Sequence, residues 1–233
     1  VWLLAVIIGL WWCRHELIRL WREPVFRHPI LIVESDDWGA GPLAQAPALR
    51  QIAEVLQCHR DGIGRMPVMS LALVLAVPDG PAIRATGAYR AVELDDPRLA
   101  PVLQALRDGA ARGVFALQLH GLEHYWPATL LAVDDPAVRA WLQGEVPATT
   151  EQLPSHLQSR WVDATTLPSA PLPVVAVHAA AEAEAKSYAR IFGELPRVVV
   201  PPTFVWTRET ERAWAAAGLE HVEVHHLAAV HPV

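Results

Sequence analysis

The sequence predicts an α/β fold with parallel strands inside and helices outside, and three observations predict it. Short apolar runs alternate with helix-compatible segments along most of the chain, which is the pattern of consecutive β–α units. Val68 to Val77 is one continuous apolar run, as a strand buried on both faces requires. Two further runs end in groups that carry chemistry: one leads into Glu34-Ser35-Asp36-Asp37-Trp38-Gly39, the other into His120-Gly121-Leu122-Glu123-His124. Strands that deliver such groups at their C-terminal ends are how α/β barrels present active sites.

Taken in order, residues 1–28 form a hydrophobic and basic N-terminal segment, and 29–233 form the α/β domain. Val1 to Cys13 is almost wholly apolar, with Trp11 and Trp12 at its end and Arg14, Arg19 and Arg22 beyond. As it stands it is shorter than the roughly 20 residues that cross a bilayer. It reads either as the last part of a membrane anchor with interfacial tryptophans or as a buried or amphipathic helix. The chain begins with Val and stops after His231-Pro232-Val233, so it is expected to be a fragment. A strand is predicted at Ile30–Glu34. Ala46 to His59 is predicted helical, with Leu49, Ile52, Val55 and Leu56 at i, i+3, i+4 spacing. Pro97 to Ala111 is a second helix, and Val114 to Leu119 a third strand.

Residues 129–170, rich in Pro, Ser and Thr after a short helix, read as an insertion over the strand ends. A strand at Val174–Val177 ending at His178 is expected next. It is followed by a helix at Ala179–Phe192 with a solvated charged face, a strand at Arg197–Val200, a helix at Arg208–Ala217 and a strand at His221–Val224.

The composition bounds the function. A chain of 233 residues, 52% hydrophobic and 19% charged, holds one sizeable core. Its net charge of −6, without a long Lys/Arg run, argues against a nucleic-acid partner. Cys13 and Cys58 have neither CxxC nor Cys/His metal spacing. Gly62-Ile63-Gly64 lacks the strand–turn–helix context of a dinucleotide fingerprint.

Three acid pairs occur, and two of them act as internal controls. Asp95-Asp96-Pro97 and Asp134-Asp135-Pro136 read as helix starts, with Asp as the cap and Pro in the first turn. Asp36-Asp37 has no Pro and follows a strand, so its mutual repulsion needs another reason, such as a cation. His120 and His124, four residues apart, lie on one side of the backbone if the segment turns helically there. Two imidazoles and a carboxylate gathered at one mouth would suit a divalent ion, most simply zinc, with an open position for water. Such an ion lowers the pKa of water and polarises a carbonyl, leaving the second Asp as a general base. The arrangement points to metal-assisted hydrolysis.

The order strand–Asp–Asp, strand–HxxxH, strand–Pro–Pro resembles the polysaccharide deacetylase family, carbohydrate esterases of the NodB-homology type, over roughly Ile30 to Val224. The family fold implied is a distorted (β/α) barrel, incomplete here at the C-terminus. The resemblance implies Asp36 as base and Asp37, His120 and His124 as metal ligands. It also implies an acetylated sugar as substrate, acetate released by a metal-activated water, and an oxyanion held by the metal and a backbone N–H near Phe204. Val200-Pro201-Pro202-Thr203-Phe204 resembles the groove motif Arg-x-Pro-Tyr, but without its Arg, and Arg197 comes too early. The late Leu-x-His motif of the family has no match, since His225, His226 and His231 stand in a different context.

Trp38, Tyr125, Trp126, Pro202, Phe204, Trp206 and His178 all fall just beyond predicted strand ends and are the expected substrate-binding residues. A membrane-associated or cell-envelope location goes with this reading. Two alternatives stay open: a non-catalytic carbohydrate-binding relative, or a related barrel hydrolase cutting a glycosidic or non-sugar amide bond.

Overall fold

The computed structural model describes residues 2–22, 30–143 and 149–223. The chain divides into two compact units, Val1–Ile32 and Val33–Val233. In the first, α1 (Trp2–Trp12) and α2 (Arg14–Arg22) follow one another. Cys13 between them keeps helical bonding: its N–H donates to Gly9 O and its carbonyl accepts from Leu17 N, each at 2.9 Å. No residue of either helix is buried.

The second unit runs β1 (Val33–Gly39), α3 (Gln45–Gln57), β2 (Met69–Val74), β3 (Ala76–Pro78), α4 (Gly80–Thr86), β4 (Ala91–Glu93), α5 (Ala100–Ala111) and β5 (Phe115–Gly121). It continues with α6 (Pro127–Ala132), α7 (Pro136–Trp141), β6 (Val162–Asp163), β7 (Ala170–Pro171), α8 (Val174–Phe192), β8 (Val198–Val199), α9 (Arg208–Ala216) and β9 (His221–Val222). Five strands form the central sheet in the order β1-β2-β5-β8-β9, and every neighbouring pair in it is parallel. β3–β4 and β6–β7 are separate antiparallel pairs.

Side chains alternate across the sheet with period two. Leu71, Leu73, Leu119 and Val199 share one face and are fully buried. They join a core with Leu49 of α3, Leu106 of α5, Tyr188 of α8 and Trp214 of α9. The opposite face carries Glu34, Ser70 and Gln118, with His120 at the end of β5. Glu223, one residue past β9, lies close enough to Glu34 of β1 for the two carboxyl groups to interact. In a flat sheet the two edge strands would be ~19 Å apart, four spacings of about 4.8 Å, so this sheet is strongly curled. Among the described residues no backbone pairing joins β1 to β9.

Several expectations are corrected. The strand expected at Ile30–Glu34 begins at Val33 and continues through the acid pair to Gly39. The apolar run Val68–Val77 is two strands: the Leu75 N–H turns to Gly121 O (3.0 Å), and β3 leaves the sheet to pair with β4. No strand forms at Val174–Val177, which is the first turn of α8 after Pro173. Its Val177 begins a buried helical stripe with Ala181, Glu184, Ala185, Tyr188 and Ile191, and that stripe outweighs the β-preference of three valines. The charged face expected of this helix is solvated at Glu182 and Lys186, but Glu184 is wholly buried. The strand expected at His221–Val224 is seen at His221–Val222, and Val224 lies outside the described residues. The two control acid pairs behave as read, with Asp96 and Asp135 accepting from the N–H groups of Arg98 and Ala137 at helix starts.

Because Leu73 is fully enclosed between strands and helices, Leu73→Ala should cost about 2–5 kcal/mol in urea unfolding. Val175→Ala, 82% exposed on α8, should stay within about 0.5 kcal/mol of the parent. Equal effects would contradict the placement of the core.

Candidate metal centre

The acid pair sits in a β-bulge. Ser35 pairs with Leu71 and Trp38 with Leu73, so β1 carries one residue more than β2 between these points. Asp37 absorbs it with φ 61°, a left-handed conformation that Asp tolerates better than most residues. The bulge is pinned by Trp38 Nε1–H donating to Ser35 Oγ and by Gly39 N–H donating to Gln45 Oε1, both at 2.9 Å. Its effect is to part the two acids. Asp36 is exposed, while Asp37 turns toward the end of β5.

His120 is the penultimate residue of β5, and His124 is brought back by the bend at 122–125. The expected helical turn is absent, yet the two rings still meet, with centroids 4.9 Å apart. Each imidazole is oriented by a backbone carbonyl: His120 Nδ1–H donates to Val200 O at 2.7 Å, and His124 Nδ1–H to Gln158 O at 2.9 Å. Both Nε2 atoms are therefore left as lone-pair donors, and both face Asp37 Oδ1, at 3.5 and 3.4 Å. Asp37 Oδ1 and His120 Nε2 are buried without a hydrogen-bond partner, a costly state unless something else occupies the gap. The separations match the ~3.4 Å edge of a tetrahedron with ~2.1 Å bonds, the geometry of a zinc site. Asp37, His120 and His124 are thus a fitting donor set for a divalent ion.

Charge agrees with this reading. Burial pushes the Asp37 carboxyl up, but the nearness of the His120 and His124 imidazoles outweighs it and holds Asp37 below the usual carboxylate value. Burial lowers the His124 pKa more than the Asp37 carboxylate raises it, which favours the neutral, ligating form.

A buried polar network lies beneath this centre. Arg160, 2% exposed, sits between two buried carboxylates, with Nη1 2.5 Å from Glu123 Oε2 and Nε 3.3 Å from Glu184 Oε2. Glu184 also accepts from Leu122 N–H (3.2 Å) and Trp214 Nε1–H (3.1 Å). Glu123 accepts from the Tyr89 hydroxyl at 3.1 Å, and that hydroxyl lies 2.8 Å from the Tyr125 hydroxyl. Arg160 and Gln158 both come from the insertion, so one short segment orients His124 and anchors the loop that bears it. Burial raises the Glu184 pKa to about 7 against the opposing pull of Arg160. The sequence reading missed Arg160 and Glu184 altogether.

Beside the ligands opens a cavity of about 220 Å³, lined by Asp36, Asp37, Trp38, Gln45, Thr150 and Glu151 among others. Asp36 also borders a smaller cavity of about 90 Å³ with Glu34, Ser70, Gln118 and Glu223. Of the residues expected to bind substrate, Trp38 stands in the wall of the larger cavity. Trp126 is half-buried, with the Arg160 guanidinium 6.0 Å from its ring centre. Pro202 is buried and Phe204 half-buried, in a 3₁₀ turn where Thr203 and Phe204 take φ 58° and 54°. Trp206 packs toward Trp214 and donates to Glu211 (3.0 Å).

Two of the expected substrate residues are corrected. Tyr125 has no exposed surface, being packed edge-on against Tyr89 and Trp141, so it presents no face to a sugar. His178 is on α8, paired with Glu209 of α9 at 2.8 Å, because the strand expected to carry it to the mouth is a helix. The Phe204 N–H donates to Pro201 O at 3.1 Å, so it is not free for an oxyanion. Arg197 pairs with Glu220 at the surface and supplies no groove cation. His225, His226 and His231 lie outside the described residues.

No family model matches the chain, and no curated protein matches it. Among solved structures it is similar to the BpsB deacetylase domain from Bordetella bronchiseptica, at 15% identity and TM-score 0.43, covering 82% of this chain and 62% of that one. It is also similar to a de-N-acetylase from Aggregatibacter actinomycetemcomitans (14% identity, TM-score 0.34, 82% and 85% coverage) and to IcaB from Ammonifex degensii (11%, 0.32, 81% and 81%). The chain therefore spans less than two thirds of the first of these structures.

A carboxyl whose pKa is higher in the folded than in the unfolded protein stabilises most below its unfolded value, and that contribution is lost as pH rises through the folded value. Stability should therefore fall as pH rises from about 4.5 through about 7 on account of Glu184. Glu223, also raised to about 7 by burial and the nearby Glu34, acts in the same window. Urea midpoints across this range should show a shallower slope in Glu184→Gln than in the parent. Arg160→Met, which strands Glu123 and Glu184, should cost about 3–5 kcal/mol.

Proposed function

We propose that this protein is a metal-dependent hydrolase that removes acetyl groups from an N- or O-acetylated sugar or polysaccharide. The observation that carries the reading is the convergence of Asp37 Oδ1, His120 Nε2 and His124 Nε2, two of them buried and unpartnered, beside a cavity walled by Asp36. Asp37, His120 and His124 would hold the ion, with zinc suiting the donors best. When bound, it supplies Lewis acidity toward the acetyl carbonyl and the attacking water. Asp36, adjacent in sequence but parted from Asp37 by the bulge, takes the proton of that water as general base. The carbonyls of Val200 and Gln158 keep both imidazoles in the tautomer that leaves Nε2 free. Trp38 offers an aromatic wall to a sugar ring. The curled parallel sheet, with core helices packed on one face and a polar opposite face, supports reading the domain as a distorted (β/α) barrel.

A second reading, a non-catalytic carbohydrate-binding relative, is favoured by one observation. The position of the groove Arg is Val199 or Val200, and Arg197 is engaged at the surface. Product analysis separates both readings from a glycosidic hydrolase, since acetate marks the first and new reducing ends the last.

Purified protein should carry near-stoichiometric divalent metal by elemental analysis, and Asp37→Ala and His124→Ala should lose metal and acetate release together. Asp36→Asn should keep the metal and lose about 10²–10⁴ in acetate-release rate. An Asp36→Asn variant as active as the parent would end the base assignment, and metal without acetate from any acetylated glycan would favour the binding protein.

A further inference from the structure

Helix α1 of the N-terminal unit exposes apolar side chains on all sides. Every large apolar side chain of α1 is exposed, from 54% at Ile7 and Leu10 to 86% at Trp2. The helix reads Trp-Leu-Leu-Ala-Val-Ile-Ile-Gly-Leu-Trp-Trp, so no flank of it is polar. A helix apolar around its whole circumference requires apolar surroundings on every side, whereas a folded partner covers one flank. α2 continues the same helical path with a different pattern: Leu17, Ile18, Leu20 and Trp21 fall on one side, His15, Arg19 and Arg22 on the other. At the junction Arg14 folds back, its Nη1 donating to Trp11 O at 2.9 Å and its guanidinium 4.4 Å from the Trp11 ring centre. Apolar length, then Trp, then Arg is the order of layers met on leaving a bilayer.

We infer that residues 2–22 seat the protein on a lipid bilayer, α1 within the acyl layer and α2 at its surface, with Arg14, Arg19 and Arg22 toward anionic headgroups. The 11 residues of α1 extend ~16 Å, about half of a ~30 Å hydrocarbon core. Among the described residues no helix is long and apolar enough to cross a membrane, and the inference needs no crossing. Two signals act together here, apolar insertion and basic residues at anionic lipid, as stable attachment generally requires.

The test is flotation of the full chain, diluted from detergent, with vesicles of phosphatidylcholine alone or mixed with phosphatidylglycerol. The parent should float with both and more completely with the anionic mixture. Ile8→Asp should lower partitioning roughly a hundredfold, as expected of a carboxylate in the acyl layer. Replacing Arg14, Arg19 and Arg22 with Gln should lower binding to the anionic vesicles by roughly a hundredfold, at about 1 kcal/mol per charge. That triple variant should leave binding to phosphatidylcholine unchanged. Metal content and urea midpoint should match the parent in all variants, which separates this inference from the hydrolase reading. A parent that stays in the aqueous fraction with both vesicles would overturn it. So would a parent that sediments as a discrete oligomer, ignores vesicles and becomes monomeric on Ile8→Asp, since α1 would then be covered by a second copy.

Discussion

The guanidinium of Arg160 between Glu123 and Glu184 is the interaction on which the geometry of the rest depends. Two buried carboxylates and one buried cation leave a surplus negative charge. The structure meets it with N–H and O–H donors from four places: Leu122, Trp214, Tyr89 and Arg160 itself. Glu184 also retains a proton up to about pH 7. A buried ion pair is seldom retained for net stability, since its desolvation cancels much of its attraction. What this one achieves is convergence, because Glu184 of α8 meets Trp214 of α9, Leu122 of the bend after β5 and Arg160 of the insertion.

That convergence fixes the two histidines without touching their ligating atoms. The bend bearing His124 is held through Glu123 and Leu122 on one side and through the Gln158 carbonyl on the other. His120 needs less help, as it still belongs to β5 and meets Val200 O across the β5–β8 pair. Asp37 is aimed by backbone conformation instead, through one surplus residue in β1. The three candidate donors are thus positioned by three different means, a carbonyl across a sheet, a buried ion network and a bulge. Asp36 remains exposed next to them.

The strand-end carboxylates and imidazoles were legible in the sequence because each stands next to an apolar run, and the two Asp-Asp-Pro controls removed the competing explanation of helix capping. The alternation of elements was legible too, save where Val68–Val77 divides into two strands and at Val174–Val177, where a four-residue apolar stretch has no periodicity of its own. Its helical identity is written further on, in the spacing of Ala181, Ala185, Tyr188 and Ile191. The same spacing held a signal that went unread: Glu184 falls in the middle of that stripe, and a carboxylate on a buried face demands a cation. Which cation was not legible, because Arg160 is 24 residues upstream in an irregular segment. Tyr125 illustrates the opposite error. An aromatic residue near a strand end suggests a sugar platform, but the Tyr89 hydroxyl that draws it inward is 36 residues earlier and leaves no local trace.

The groups that build the metal centre are drawn from Asp37, His120 to His124, Gln158 and Val200, and the parallel order of the strands separates them by long stretches of chain. During synthesis the acid emerges first and the carbonyl that orients His120 last, so no shorter nascent chain can present the finished donor set. Long-range parallel pairing is also the slow part of folding. On the proposed reading ion capture would be late in the assembly of the chain, and an ion held there would report that the sheet has assembled from β1 as far as β8.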